Sequence, residues 1–387
     1  MHRLRTVALV LLITAGLYAA ADYLVGLWRA HDLDLTIIAS TPAYRGQGYV
    51  NADFIREKSL EPGQWLRIPG QPLVAPTEFH GTYFNVDRLP PTGNPYRRTA
   101  NPPADARPER VVLIVGGSTV YGPETPDDFT IASQLSGYLN AHDPSHRYVV
   151  YNAGVVQADS TEDRDRVVYE LSAGLRPDVV VACDGQLDIV YGVYQGRPGE
   201  TAPLLAARTG LRGFAHRYLP TNIAQMVWLW LHERAVARHE IVAPPHVSQA
   251  AAVRPLDGKV ADIYRRNHLA MGDLAAREGA LFLSVLPPSP YSTSYDRQTG
   301  DIAGSRAATD ALTPGLAGIE PAGQAALAGV LRDLAAGGRH TLDLSDVFKD
   351  KTDDVFVDLS HLNGTGSRVI AERIGAAVLR LLAPPPS

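Results

Sequence analysis

From Arg110 onward, continuous apolar runs alternate with stretches of helical period. Val111–Val115 has no polar break, as a strand covered on both faces requires, and Tyr148–Tyr151 and Val179–Ala182 repeat the pattern. Thr125-Pro126-Asp127-Asp128 reads as a helix start, with a cap residue, a proline in the first turn and acids at the positive end of the dipole. A helix over Arg164–Gly174 ends on its glycine. Lys259–Glu278 reads as a long helix that stops at Gly279 and leads into the strand Ala280–Leu286. Pro321–Ala336 and Gly364–Leu382 complete the helices. This alternation predicts an α/β domain over residues 109–387 in which helices cover both faces of a central parallel sheet. Ligands of such sheets bind at the C-terminal strand ends.

Three stretches depart from that rhythm. At the N-terminus, His2, Arg3 and Arg5 precede an apolar run from Val7 to Ala21, which continues to Trp28. A bilayer-spanning helix needs about 20 residues, and the arginines ahead of the run favour a cytoplasmic N-terminus. Residues 1–29 therefore read as a single-pass membrane anchor with the bulk of the chain extracytoplasmic. A cleaved signal peptide is the alternative, since Ala19-Ala20-Ala21 resembles a cleavage site. Residues 30–108, rich in Pro, Gly, Tyr and Asn, read as an irregular extracytoplasmic extension with strand-like scraps such as Thr36–Ala39. Residues 196–255 are an insertion with an apolar helical stretch, Ile223–Arg238, carrying Trp228 and Trp230. It fits a helix packed on the core, or a lid or membrane-surface helix with Arg234 and Arg238 one turn apart. A Ser/Thr/Gly-rich loop follows over 288–314.

Composition narrows the chemistry. An apolar share of 45% with 20% charged residues suits a packed core and not a disordered chain. A net charge of -5 provides no basic excess, which argues against a nucleic-acid partner. Cys183 is the single cysteine, so no intrachain disulfide forms and stability rests on the core. No Cys/His group has metal-ligand spacing, and no cofactor is expected.

Gly116-Gly117-Ser118-Thr119 directly follows the first strand of the domain, which puts Ser118 on a strand-to-helix turn. Alone it fits a helix cap as well as a nucleophile. Asp358-Leu359-Ser360-His361 precedes the last helix, and a carboxylate so placed can hold an imidazole in one tautomer. Alone, His361 fits an ordinary surface histidine. Together the segments resemble the SGNH/GDSL hydrolases. Val115–Gly122 is similar to their "GGST" nucleophile motif, Asn152-Ala153-Gly154 to their glycine motif, and Asp184–Asp188 falls where they carry Gly-x-Asn-Asp. The resemblance covers about residues 109–382 and implies a flavodoxin-like three-layer α/β/α fold with a central parallel sheet. It implies a triad of Ser118, Asp358 and His361, with an oxyanion hole built from the backbone N–H groups of Ser118 and Gly154. Gly117, Asn152, Gly185, Gln186, Leu187 and Asp188 would line the site. One position departs: Leu187 stands where the family places an asparagine donor, and Gln186 points away if the segment is extended. The implied activity is a cofactor-free esterase or O-acyltransferase acting on ester groups, O-acetyl above all, of a polysaccharide or other envelope substrate. An SGNH-fold protein that binds acylated carbohydrate without catalysis is the alternative that Leu187 motivates.

Overall fold

A computed structural model of the chain describes residues 78–156, 158–195, 259–291, 316–349, 354–357 and 360–383, with shorter stretches within 14–24 and 44–58. The expected insertion 196–255, with its helix Ile223–Arg238, lies outside the described residues, as does most of the 288–314 loop. Of the N-terminal run, residues 14–22 are helical, and Leu17 is 67% exposed. Among the described residues no helix is long and apolar enough to cross a membrane.

The sheet has eight strands. Three short ones come first: β1 Phe79–His80, β2 Asn85–Leu89 and β3 Asn94–Arg97. The parallel set follows: β4 Glu109–Gly116, β5 Arg147–Asn152, β6 Val179–Cys183, β7 Leu281–Leu286 and β8 His340–Asp343. Their order is β1-β2-β3-β5-β4-β6-β7-β8, with β5 to β8 joined in parallel and β1 to β3 added antiparallel at the β5 edge. The parallel part is doubly wound, and its chain direction reverses between β4 and β6. That crevice is where ligands of such sheets bind.

Two expectations about strands need correction. Residues 79–97 are not irregular: they extend the sheet, joining it where Arg97 pairs with Asn152. Strands of two to five residues separated by Pro/Gly turns are too short to show a period. β8 was not expected, because His340–Asp343 contains no apolar run; its register against β7 fixes it in the sheet.

The helices are α1 Ser118–Tyr121, α2 Ile131–His142, α3 Ser160–Ser172, α4 Gln186–Gln195, α5 Lys259–Arg277, α6 Leu316–Ala336 and α7 Gly364–Leu382. The helix expected at Thr125 begins later. Asp127 opens only a 3-10 turn, because its carboxylate accepts from the Asn85 N–H and pairs with Arg97, and Thr130 caps α2 instead. α3 begins at Ser160 and not Arg164, set by a capping box between Asp159 and Glu162. α6 likewise starts before Pro321.

The two-residue period of the strands divides the core. Val112 and Ile114 pack with α2 and α7 on one face, and Leu113 and Val115 with α3 and α5 on the other. A third cluster joins α4, α5 and α6 through Ile189, Tyr264 and Leu327.

Candidate active site

Ser118 opens α1 at the C-terminal end of β4, with Gly117 as the residue that caps it. Gly116 must be small: a Cβ there would stand 2.3 Å from the Cys183 carbonyl oxygen. First-turn helix N–H groups have no partner within the helix, so the Ser118 N–H is left to bond a group outside it.

The histidine loop is a small hairpin. Phe356 bridges Leu362, the Val357 N–H donates to the His361 carbonyl at 2.8 Å, and the Asn363 N–H donates to the Val355 carbonyl at 2.9 Å. α7 begins directly after it, and the Asn363 side chain caps it by accepting from the Gly366 N–H at 2.9 Å. Asp358 lies outside the described residues. The two segments meet through Thr119, whose hydroxyl donates to the Ser360 carbonyl at 3.2 Å across 241 positions of sequence. The neighbours of Ser118 and His361 are thus bonded to each other, and both candidate residues are half-buried. Thr119 stands in the nucleophile motif, but nothing in its sequence context announces a bond to the histidine loop.

The Asp184–Asp188 segment differs from its expected extended form. Gly185 takes a positive φ of 124° and turns the chain straight from β6 into α4, whose first residues are Gln186 and Leu187. Consecutive side chains on a helix are separated by about 100°, so the two are not on opposite faces. Leu187 borders the nucleophile turn: its Cδ1 lies 3.4 Å from where a Cβ on Gly117 would be, and the Ala158 carbonyl lies 3.0 Å from the same point.

Three residues expected at the site are held in hydrogen bonds within the fold. Asn152 is fully buried; its amide donates to the Val120 carbonyl at 3.0 Å and its Oδ1 accepts the Gly154 N–H at 3.1 Å. That bond engages the N–H assigned to the oxyanion, and the Tyr121 backbone nitrogen is 2.5 Å from a Cβ built on Gly154, so the position admits no side chain. Asp188 is also buried, where it accepts from both the N–H and the hydroxyl of Ser160 and ties α4 to α3. Burial, then the charges of Asp159 and Asp184, push its carboxyl well above the usual range.

The same region holds a polar cluster that no motif indicated. His268 of α5 bridges the Ser284 hydroxyl and the Asp184 carboxylate, each at 2.9 Å. The trio has the residue types of a catalytic triad, but exposures of 2%, 1% and 4% seal it from any substrate. Asp163 adjoins it, its carboxyl raised by burial and then by the charge of Asp184. Among the described residues no group of His, Cys, Asp and Glu has the geometry of a metal site.

The strand order puts the motifs at the ends of β4, β5 and β6 and ahead of α7, in a mixed α/β arrangement with a central, mostly parallel sheet. No protein-family profile and no curated protein matches the chain. Its structure is similar to that of Est24, a carbohydrate acetylesterase from Sinorhizobium meliloti, at 13% identity and a TM-score of 0.39, covering 70% of this chain and 100% of that one. It is also similar to an acetyl xylan esterase, AlAXEase, at 13% identity and a TM-score of 0.40, covering 69% and 99%. A member of the lipolytic protein G-D-S-L family from Veillonella parvula is similar at 11% identity and a TM-score of 0.38, covering 70% and 98%.

Proposed function

We propose that the chain is a serine esterase or O-acyltransferase, with Ser118 as nucleophile, His361 as base and Asp358 orienting the imidazole. The observation that carries the reading is the Thr119–Ser360 hydrogen bond, which joins the serine turn to the histidine loop beside the crevice between β4 and β6. His361 takes the Ser118 proton as the hydroxyl oxygen attacks an ester carbonyl. The leaving alcohol takes that proton from His361, and water or an acceptor hydroxyl then releases the acyl group by the reverse steps. The Ser118 N–H supports the oxyanion. The Gly154 N–H is engaged elsewhere and Leu187 donates nothing, so the hole has fewer donors than the family pattern implies. Each missing donor costs on the order of 10²–10³ in rate, which makes slow turnover the expectation.

The substrate we assign is an O-acylated, above all O-acetylated, polysaccharide or other envelope ester. The extracytoplasmic setting rests on the N-terminal apolar run and the arginines ahead of it, from which we also infer a single membrane anchor. The same depleted oxyanion hole favours a second reading, a carbohydrate-binding protein that keeps the fold without turnover. A fluorophosphonate probe separates the two, because only an activated serine reacts with it. The enzyme reading expects labelling of the full chain that Ser118→Ala abolishes. An unlabelled wild type leaves the binding reading standing.

A further inference from the structure

The histidine loop is held at both ends by a segment far from the motifs. Tyr49, itself buried, accepts the Gly364 N–H on its hydroxyl at 3.1 Å. Gly364 is the first residue of α7, so this bond satisfies one of the helix's orphan donors, while Asn363 serves the Gly366 N–H. Gly364 leaves room for that arrangement: a Cβ there would meet the Tyr49 ring at 3.3 Å, Phe129 at 2.9 Å and Gln47 at 3.2 Å. Gln47 also donates to the Thr365 hydroxyl at 3.3 Å. At the other end of the loop, Val357 packs against the aromatic cluster of Tyr44, Tyr49, Phe54 and Phe84. His361 therefore lies between two points fixed on one cluster.

That cluster is itself tied down. Glu57 accepts the N–H groups of Thr82, Tyr83 and Phe84 at 2.8, 2.7 and 2.7 Å. Glu124 receives Lys58 at 2.9 Å and the Tyr44 hydroxyl. A segment so anchored acts as a fixed strut for the loop.

We propose that Tyr49 is a positioning residue for His361, and that the described residues within 44–58 belong to the catalytic scaffold and are not a spacer. This rests on reading Ser118 and His361 as nucleophile and base. Misplacing a catalytic group by about 1 Å costs on the order of 10² in rate. Tyr49→Phe keeps the ring and its packing but removes the acceptor, so the expected loss is about tenfold in kcat with KM held within about twofold. Tyr49→Leu, which also removes the ring, should cost about 10².

The test uses the full chain, with aryl acetate hydrolysis and fluorophosphonate labelling measured well below the melting temperature. Hydrogen exchange is read on the peptide spanning 354–366. The expected result for Tyr49→Phe is faster exchange in that peptide, a kcat loss without a KM change, and slower labelling by the same factor. Faster exchange with wild-type kcat makes Tyr49 a purely structural residue and overturns the proposal, as does unchanged exchange. A wild type that behaves like Ser118→Ala overturns the functional reading and the role of Tyr49 with it. An active wild type with an unaffected Tyr49→Phe overturns that role alone.

Discussion

Leu187 is the residue at which the chemistry of this site turns. It stands on the first turn of α4 beside Gly117, close to the nucleophile, and offers no donor where the family pattern has one. Leu187→Asn places an amide there. A well-aligned donor is worth on the order of 10²–10³ in kcat, but an unsupported side chain rarely reaches that geometry, and about tenfold is expected. KM should hardly move, because the ground-state carbonyl carries far less charge than the oxyanion. Kinetics together with a melting curve check this. A folded variant with unchanged kcat shows that the hole is built from other donors; a loss of stability without gain shows that Leu187 serves packing. Its identity was plain in the sequence, but its place on a helix was not. Asp184 and Gly185 take the chain from strand to helix within two residues, and no period precedes the bend.

Among the elements, α7 was the most legible, and its bounds match the sequence reading because an apolar stripe begins at a cap and ends before a proline run. Its start also carries the histidine loop. Asn363 is buried, accepts from the Gly366 N–H and donates to the Asp354 carbonyl at 2.7 Å. Asn363→Ala should therefore cost about 1–2 kcal/mol, lowering the melting temperature by about 2–4 °C per kcal/mol. Thermal unfolding that is unchanged in this variant rules out the cap as a stabilising contact. α2 and α3 show the opposite case. Both were expected near their true positions, yet side-chain partners moved their starts: Arg97 and Asn85 hold Asp127 sideways, and Asp159 closes a capping box five residues before Arg164. Helix existence follows from local period, and helix boundaries follow from what the flanking polar groups bond.

At the scale of the whole molecule, buried acids make stability depend on pH in an uncommon direction. Glu320, on α6 and 1% exposed, has its carboxyl raised from 4.5 to about 7 by burial, with Gln324 and Ser289 offsetting only part. Asp163 and Asp188 are raised in the same direction. A folded state that holds its protons longer than the unfolded chain loses stability as pH rises. For Glu320 the loss begins near pH 4.5 and is complete above about pH 7, on the order of 3 kcal/mol. Denaturant unfolding between pH 5 and 8 should show stability falling across that window, with Glu320→Gln flattening the slope; an identical slope in the variant removes Glu320 as its source. The sequence marked none of these acids as buried, and Asp188 only as a site-lining residue, since the same residue types on a solvated face carry no such penalty. The sequence alone determined the alternation of strands and helices and the order of the motifs, because both follow from side-chain period and short-range turn chemistry. Only the tertiary structure decided that Thr119 meets Ser360, that Asn152 takes the Gly154 N–H, and that Tyr49 caps α7. The first and last of those contacts join groups 241 and 315 positions apart through the packing of layers around one sheet, a distance that no local pattern in the chain encodes; the second spans two residues, but the bond from the Asn152 amide to the Val120 carbonyl is what orients it.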